Sequence, residues 1–175
     1  MAIDVRKILS GELDSMAIDH SFSLDDGEFP FGTQVEDVVF TKPASVKGGI
    51  VNKGGYISLD VTVSVCYKTE CARCLKPLER SFDTTFSRTV VSPGELVNTP
   101  EEEADDYIEV SDGMLDIETV AAEQLMMEFP MKEVCSDDCK GLCPKCGKDL
   151  NTGDCDCPKK EIDPRLAILQ KLLEK

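Results

Sequence analysis

The chain has 175 residues, 41% of them hydrophobic, and a formal net charge of −15. That length carries one ordinary core, or a core with a small appended module, and charge of that sign disfavours general adhesion to phosphate backbones while favouring a basic partner. The N-terminal MAIDVRKILSGELDS has no apolar signal region, and no apolar run is long enough to cross a bilayer, so a cytoplasmic protein with no membrane partner is expected.

In chain order, residues 4–10 predict a short helix with Asp4 as cap and Gly11 as stop. Met16, Ile18, His20, Phe22 and Leu24 alternate with polar residues, the period of a strand. Residues 24–32, with acids, a proline and glycines, predict a loop. Residues 35–41, 45–51, 56–69 and 78–91 have strand composition, and Asn52-Lys53-Gly54-Gly55 is a hairpin turn between two of them. Leu59, Val61, Val63 and Val65 share one strand face, with Cys66 on the other side. Residues 95–118 hold ten acids and no base. Residues 92–116 predict a solvated, partly disordered loop around a short strand at 107–110; the sharper alternative is an acidic arm for a basic partner.

Asp116 then caps a helix with the stripe Ile117, Val120, Ala121 and Leu125, which ends at Pro130. Met126, Met127 and Phe129 are expected in the core at its end; exposed, they would form a partner groove instead. Near the C-terminus Asp163 caps, Pro164 takes the first helical position, and Leu166, Leu169 and Leu173 line one face. So short a helix needs a surface to dock on. Together these elements predict an α+β protein: an antiparallel, strongly twisted sheet, open to curling into a barrel, with one packed helix. A zinc-ribbon segment and a C-terminal helix follow it. The expected boundaries are 1–130 for the core domain, 131–160 for the cysteine-rich segment and 161–175 for the last helix.

Eight of nine cysteines fall into close pairs: Cys71 and Cys74, Cys135 and Cys139, Cys143 and Cys146, Cys155 and Cys157. Pairs this tight suit a metal better than a disulfide, and a reducing compartment favours ligation. Zinc takes four ligands, usually two from each of two short turns. One structural site would use Cys71, Cys74, Cys135 and Cys139, tying the sheet to the segment after the helix. A second would use Cys143, Cys146, Cys155 and Cys157, although the single residue between Cys155 and Cys157 strains joint ligation and Cys139 is an alternative ligand. Cys66 is left as an ordinary buried thiol. One zinc ion or two are expected; iron also accepts four thiolates but is less favoured, since nothing suggests electron transfer.

Four thiolates leave no open metal position for water, which argues against a zinc hydrolase. His20 is the sole histidine and is expected in a core or surface role, so acid–base catalysis lacks material. No phosphate loop, nucleotide fingerprint or serine elbow is present. No enzyme and no small-molecule substrate are expected.

Cys71-Ala-Arg-Cys-Leu-Lys-Pro, then Cys139-Lys-Gly-Leu-Cys-Pro-Lys-Cys-Gly-Lys-Asp-Leu-Asn, then Cys155-Asp-Cys and Asp163-Pro-Arg-Leu-Ala-Ile-Leu resemble the YceD family over the chain from about residue 61 onward. The resemblance implies a role in accumulation of large-subunit ribosomal RNA, without a known enzymatic activity. It also implies that the second cysteine cluster is dispensable to the fold, since some members lack it. The leading expectation is a ribosome biogenesis factor that binds a basic ribosomal protein of the large subunit, or pre-ribosomal RNA through a local basic patch. Arg73, Lys76, Arg80 and Arg88 cluster around the first cysteine turn as candidate partner contacts, and Lys140, Lys145 and Lys148 decorate the second. The bland alternative for these bases is a solvated, salt-balanced surface. A different class of function is a thiol-based redox or metal-handling protein, in which some cysteines stay free and accessible, with Cys71–Cys74 as the candidate dithiol and Arg73 able to lower a thiol pKa.

Overall fold

The alternating stretches of the sequence pair into one sheet. The structure, a computed structural model, describes residues 2–24, 28–29, 33–34, 37–94 and 107–157. In chain order the elements are β1 (Ala2–Asp4), α1 (Arg6–Leu9), β2 (Ser15–Phe22), the short pair β3 (Glu28–Phe29) and β4 (Thr33–Gln34), β5 (Val39–Phe40), β6 (Ala44–Lys53), β7 (Tyr56–Glu70), β8 (Pro77–Val91), β9 (Tyr107–Glu109), β10 (Met114–Asp116) and α2 (Ile117–Glu128). Residues 95–106 of the expected acidic loop and the expected helix over 161–175 lie outside the described residues.

The main sheet runs β2-β6-β7-β8-β9, with β5 also on β7. β7 and β8 form its backbone, antiparallel from Ser58 opposite Thr89 to Glu70 opposite Pro77. Gly54 and Gly55 both take positive φ, 65° and 98°, the mirror-image turn that matches strand twist in a two-residue hairpin. Asn52 accepts the Gly55 N–H through Oδ1 at 2.8 Å and donates Nδ2 to the Ile8 carbonyl at 2.7 Å, so one side chain shapes the turn and holds α1. β5 and β6 lie on the same side of β7. Pro43 separates them, having no N–H for the ladder. A Cβ on Gly48 would stand 2.0 Å from the Asp60 carbonyl oxygen, so only a bare backbone fits there.

Leu59, Val61, Val63, Val65 and Tyr67 of β7 are all buried, beside Val46 and Ile50 of β6 and Phe86 and Val90 of β8. Each fully buried aliphatic contributes roughly 1.5–3 kcal/mol relative to exposure, which makes this face the anchor of the fold. α2 covers it. Ile117, Val120, Ala121 and Leu125 join the same core, and Asp116 caps the helix by accepting the Thr119 N–H. Phe129 closes the end of the core, its ring 4.8 Å from Tyr67, 5.8 Å from Phe82 and 5.9 Å from Phe40.

Several expectations are corrected. No closed barrel forms among the described residues: β2 and β9 end an open path. α2 fills the face that a barrel would have to enclose. The sheet is not wholly antiparallel either, because β9 joins β8 in parallel. The region read as a loop over 24–32 contributes Glu28 and Phe29 to a small hairpin with Thr33 and Gln34. The first helix is shorter than 4–10, since Asp4 belongs to β1 and pairs with Met114 of β10. Val5 is the N-cap residue, and Asp4 instead accepts the Arg6 backbone N–H and guanidinium. Met126 and Met127 are exposed rather than core, because they fall off the 117–120–121–125 stripe. Phe129 turns inward only because the backbone leaves the helix there, at ψ 133°. Cys66 is half-buried, being on the face of β7 opposite the core. His20 of β2 bonds Glu118 of α2 at 2.6 Å, a strand-to-helix tie. No helix among the described residues is long and apolar enough to cross a membrane.

Candidate metal centres

Two knuckles of the same backbone pattern hold the first two cysteines of each group. In the first, the Cys71 N–H donates to the Lys76 carbonyl and the Leu75 N–H to the Cys71 carbonyl, both at 2.9 Å. In the second, the Cys143 N–H donates to the Lys148 carbonyl and the Gly147 N–H to the Cys143 carbonyl, again both at 2.9 Å. The residue after the second cysteine of each pair is left-handed: Leu75 at φ 58° and Gly147 at φ 72°. The first knuckle is the turn between β7 and β8, held by the full length of the hairpin. The second is carried by a short chain segment in which Leu142 bridges Asp149 and the Leu150 N–H returns to the Gly141 carbonyl.

The fold brings Cys71 and Cys74 against Cys135 and Cys139, and Cys143 and Cys146 against Cys155 and Cys157. Within each group the four sulfurs lie within 4.8 Å of one another. In the first group, Cys71 Sγ is 3.8 Å from Cys139 Sγ and Cys74 Sγ is 3.7 Å from Cys135 Sγ. Sulfurs at about 2.3 Å from a tetrahedral centre stand about 3.8 Å apart, so these edges fit a four-thiolate ion. The second group fits by donor chemistry, four thiols converging with no other ligand type among them. Both tetrads can hold a metal ion.

The electrostatics point the same way. Burial opposes ionisation of Cys71, yet the backbone amides of Arg73, Cys135 and Cys74 hold its thiol down at about 6; the Cys135 N–H lies 3.4 Å from its sulfur. Cys139 is lowered by the Asn151 side-chain amide, whose Nδ2 is 3.4 Å from Sγ. Cys143 is held at about 6, chiefly by the amides of Cys146 and Lys145. The neighbours move the other way. Cys74 is pushed up to about 12, the Lys76 amide being outweighed by burial and the adjoining thiols. Cys157 is pushed up to about 12, mainly by Cys146 and by burial. The first tetrad favours ionisation at Cys71 and Cys139 and resists it at Cys74 and Cys135, and the second favours it at Cys143 and resists it at Cys157, because like charges crowd together. A divalent cation removes that resistance, and its binding releases protons.

The segment carrying the first group's second half is stitched to the sheet. The Ala72 N–H donates to the Glu133 carbonyl at 2.8 Å and the Leu142 N–H to the Arg73 carbonyl at 3.0 Å. Tyr67 donates its hydroxyl to Glu133 Oε1 at 2.7 Å, and burial followed by that bond raises the Tyr67 pKa. Gly141 is required by close approach: a Cβ there would meet the Arg73 carbonyl oxygen at 2.8 Å.

Most of the candidate partner bases are turned to internal work. Arg73 donates to the carbonyls of Asp137 and Cys139. Arg80 donates to the Val134 carbonyl and lies 3.6 Å from Glu133. Arg88 donates to Gln124 of α2 and stacks over Phe86. Lys148 donates to the Asp154 carbonyl. Lys76 and Lys140 are exposed. Sequence reasoning missed Asn151, which accepts the Lys140 N–H while donating to Cys139 and so links the ribbon of the second tetrad to the first. Its only signal was its place at the end of the Cys139 motif. It also missed Leu75 and Glu133, which carried none.

The family described as large ribosomal RNA subunit accumulation protein YceD matches residues 59–173. The chain is 32% identical to the Bacillus subtilis protein YlbN over 139 residues, covering 79% of this chain and 78% of that one. It is 33% identical to a Mycobacterium tuberculosis protein over 112 residues, 64% of this chain and 53% of the relative. An Arabidopsis thaliana protein named large ribosomal RNA subunit accumulation protein YCED homolog 1, chloroplastic, is 25% identical over 165 residues, 80% of this chain and 51% of its own length. The chain thus spans about half the length of its mycobacterial and plant relatives. No solved structure matches.

Proposed function

The chain belongs to the YceD family, and on that premise we propose that it is a non-enzymatic ribosome biogenesis factor. It supports large-subunit ribosomal RNA accumulation by binding, and it acts in the cytoplasm. The observation that carries this reading is the pair of closed tetrads. Four converging sulfurs leave a tetrahedral ion no position for water or substrate. Zinc, one ion per tetrad, would be held by Cys71, Cys74, Cys135 and Cys139 and by Cys143, Cys146, Cys155 and Cys157. It would supply cross-links rather than reactivity. Iron also accepts four thiolates but is less favoured, since nothing in the chain suggests electron transfer.

A basic ribosomal protein of the large subunit is the favoured partner. The net charge of −15 attracts it. The direct-RNA version is weakened by Arg73, Arg80 and Arg88, each of which has a guanidinium nitrogen bonded inside the chain. The test is a strain lacking the protein. The ratio of large- to small-subunit ribosomal RNA falls and is restored by the wild-type chain; an unchanged ratio overturns the proposal.

One observation favours a second reading, a thiol-based redox or metal-handling protein: Cys146 is exposed in the second tetrad, beside the acidic Cys143. Rapid alkylation of Cys146 in metal-loaded protein would support that reading, and protection would sink it.

A further inference from the structure

The two knuckles share their hydrogen bonds but not the residue in the left-handed position. Glycine adopts that conformation freely, and Gly147 stands in open space with nothing within 4 Å of a built Cβ. Leu75 adopts it at a cost, because the Cβ of an L-residue crowds its own carbonyl there. Packing does not explain the choice, since the Leu75 side chain is 57% exposed. A backbone strain retained for an exposed aliphatic group points to use of that group.

Leu75 lines a groove between the end of β7, the first knuckle and the segment after α2. Pro130 and Met131 line the same groove, and Met131 is 93% exposed. Asp37 and Glu70 supply acids against one base, Lys132, while the Glu133 carboxylate is already held by Tyr67 and Arg80. Asp37 is itself one of only three described non-glycine residues at positive φ. Exposed apolar side chains beside acids, on a chain of charge −15, complement a segment carrying an aliphatic side chain between lysines or arginines. Methionine adds an adaptable contact.

We propose that this groove docks a basic segment of a partner protein, with Leu75 and Met131 seating its aliphatic side chain and Asp37 and Glu70 facing its cations. The proposal rests on the reading above that the protein acts by holding a basic protein, and it assigns the surface. The first tetrad fixes Leu75 at the groove edge but takes no part in recognition.

The probe is a short synthetic peptide of lysines and arginines flanking leucine, with an equally charged control in which serine replaces leucine. Both are titrated by fluorescence anisotropy into the full metal-loaded chain. Wild type binds the leucine peptide at least about tenfold tighter than the control, the scale of one buried apolar contact. Leu75→Gly removes the preference while metal content is kept and the melting temperature is equal or higher. Met131→Ser, at a fully exposed position, removes it independently of any effect on folding. A preference that survives Leu75→Gly and Met131→Ser overturns the groove and leaves the binding reading standing. Equal binding of both peptides by wild type also overturns the groove, since charge alone would then act. Failure to bind either peptide sinks the groove and the basic-partner reading together. A single-stranded RNA whose binding is lost in Leu75→Gly, or self-association lost in that variant, gives the surface to another occupant and equally overturns the proposal.

Discussion

Cys71–Cys74 and Cys143–Cys146 close the same two backbone hydrogen bonds, yet one knuckle is the tip of a hairpin with fifteen residues in each strand and the other has only a short bridged loop around it. The first tetrad joins positions 61 and 68 residues apart, buries Cys71, Cys74 and Cys139, and packs with Leu78, Val134 and Leu142. The second joins positions within 143–157 and leaves Cys146 exposed. A local turn code therefore builds the ligand pair, and its surroundings decide what the pair is for. Where the ligands come from distant segments, a cross-link removes much chain entropy and couples to the whole fold; where they are neighbours, it orders only its own loop.

The largest effect that would sharpen this contrast is expected from Cys71→Ser. It should lower metal content by one ion per chain and the melting temperature by roughly 10 °C or more, with loss of cooperative unfolding of the hairpin end. A variant that loses one metal and melts like wild type would place the two sites on an equal footing and break the comparison. Cys143→Ser should also lose one ion, but with a shift of no more than about 3 °C and an unchanged β-sheet signature by circular dichroism. Cooperative collapse of the sheet in that variant would make the ribbon part of the core.

Gly147→Leu copies the first knuckle's strain into the second. No neighbour blocks the side chain, so the cost is backbone alone, about 1–2 kcal/mol. Metal affinity at the second site should fall roughly tenfold by chelator competition, with the first site untouched. Unchanged affinity would show that Leu75 carries no strain worth explaining. The smallest effect is expected from Asn151→Ala. Asn151 lowers the Cys139 pKa, so its loss raises that pKa and lets protons compete for the sulfur at higher pH. Acid-induced metal release from the first tetrad should move upward by less than about one pH unit. A downward shift, or one confined to the second tetrad, would remove Asn151 from its linking role.

Short-range chemistry made much of the molecule legible from sequence. The cysteine spacings named both knuckles, because a knuckle is built from residues close together in the chain. Gly54-Gly55 named the hairpin turn, the alternation of Leu59 to Val65 named the core face, and Asp116 with Pro130 bounded α2. Distance along the chain is where that reading stopped. The parallel seating of β9 on β8 and the open sheet depend on which segments meet after collapse, and no local pattern states it. The same holds for the side chains. Arg73, Arg80 and Arg88 look like a basic patch in one dimension, but three dimensions bring carbonyls and Gln124 within reach of their guanidinium groups. Cys66 looked buried by composition and proved half-exposed, because strand alternation puts it opposite a face whose cover only the tertiary structure supplies. The sequence by itself pointed to the two groups of four cysteines and to the turns that present them. The tertiary structure alone decided that Cys139 stands with Cys71, Cys74 and Cys135 rather than with the second group, and that Leu75 would stand strained and exposed at the edge of an acidic groove.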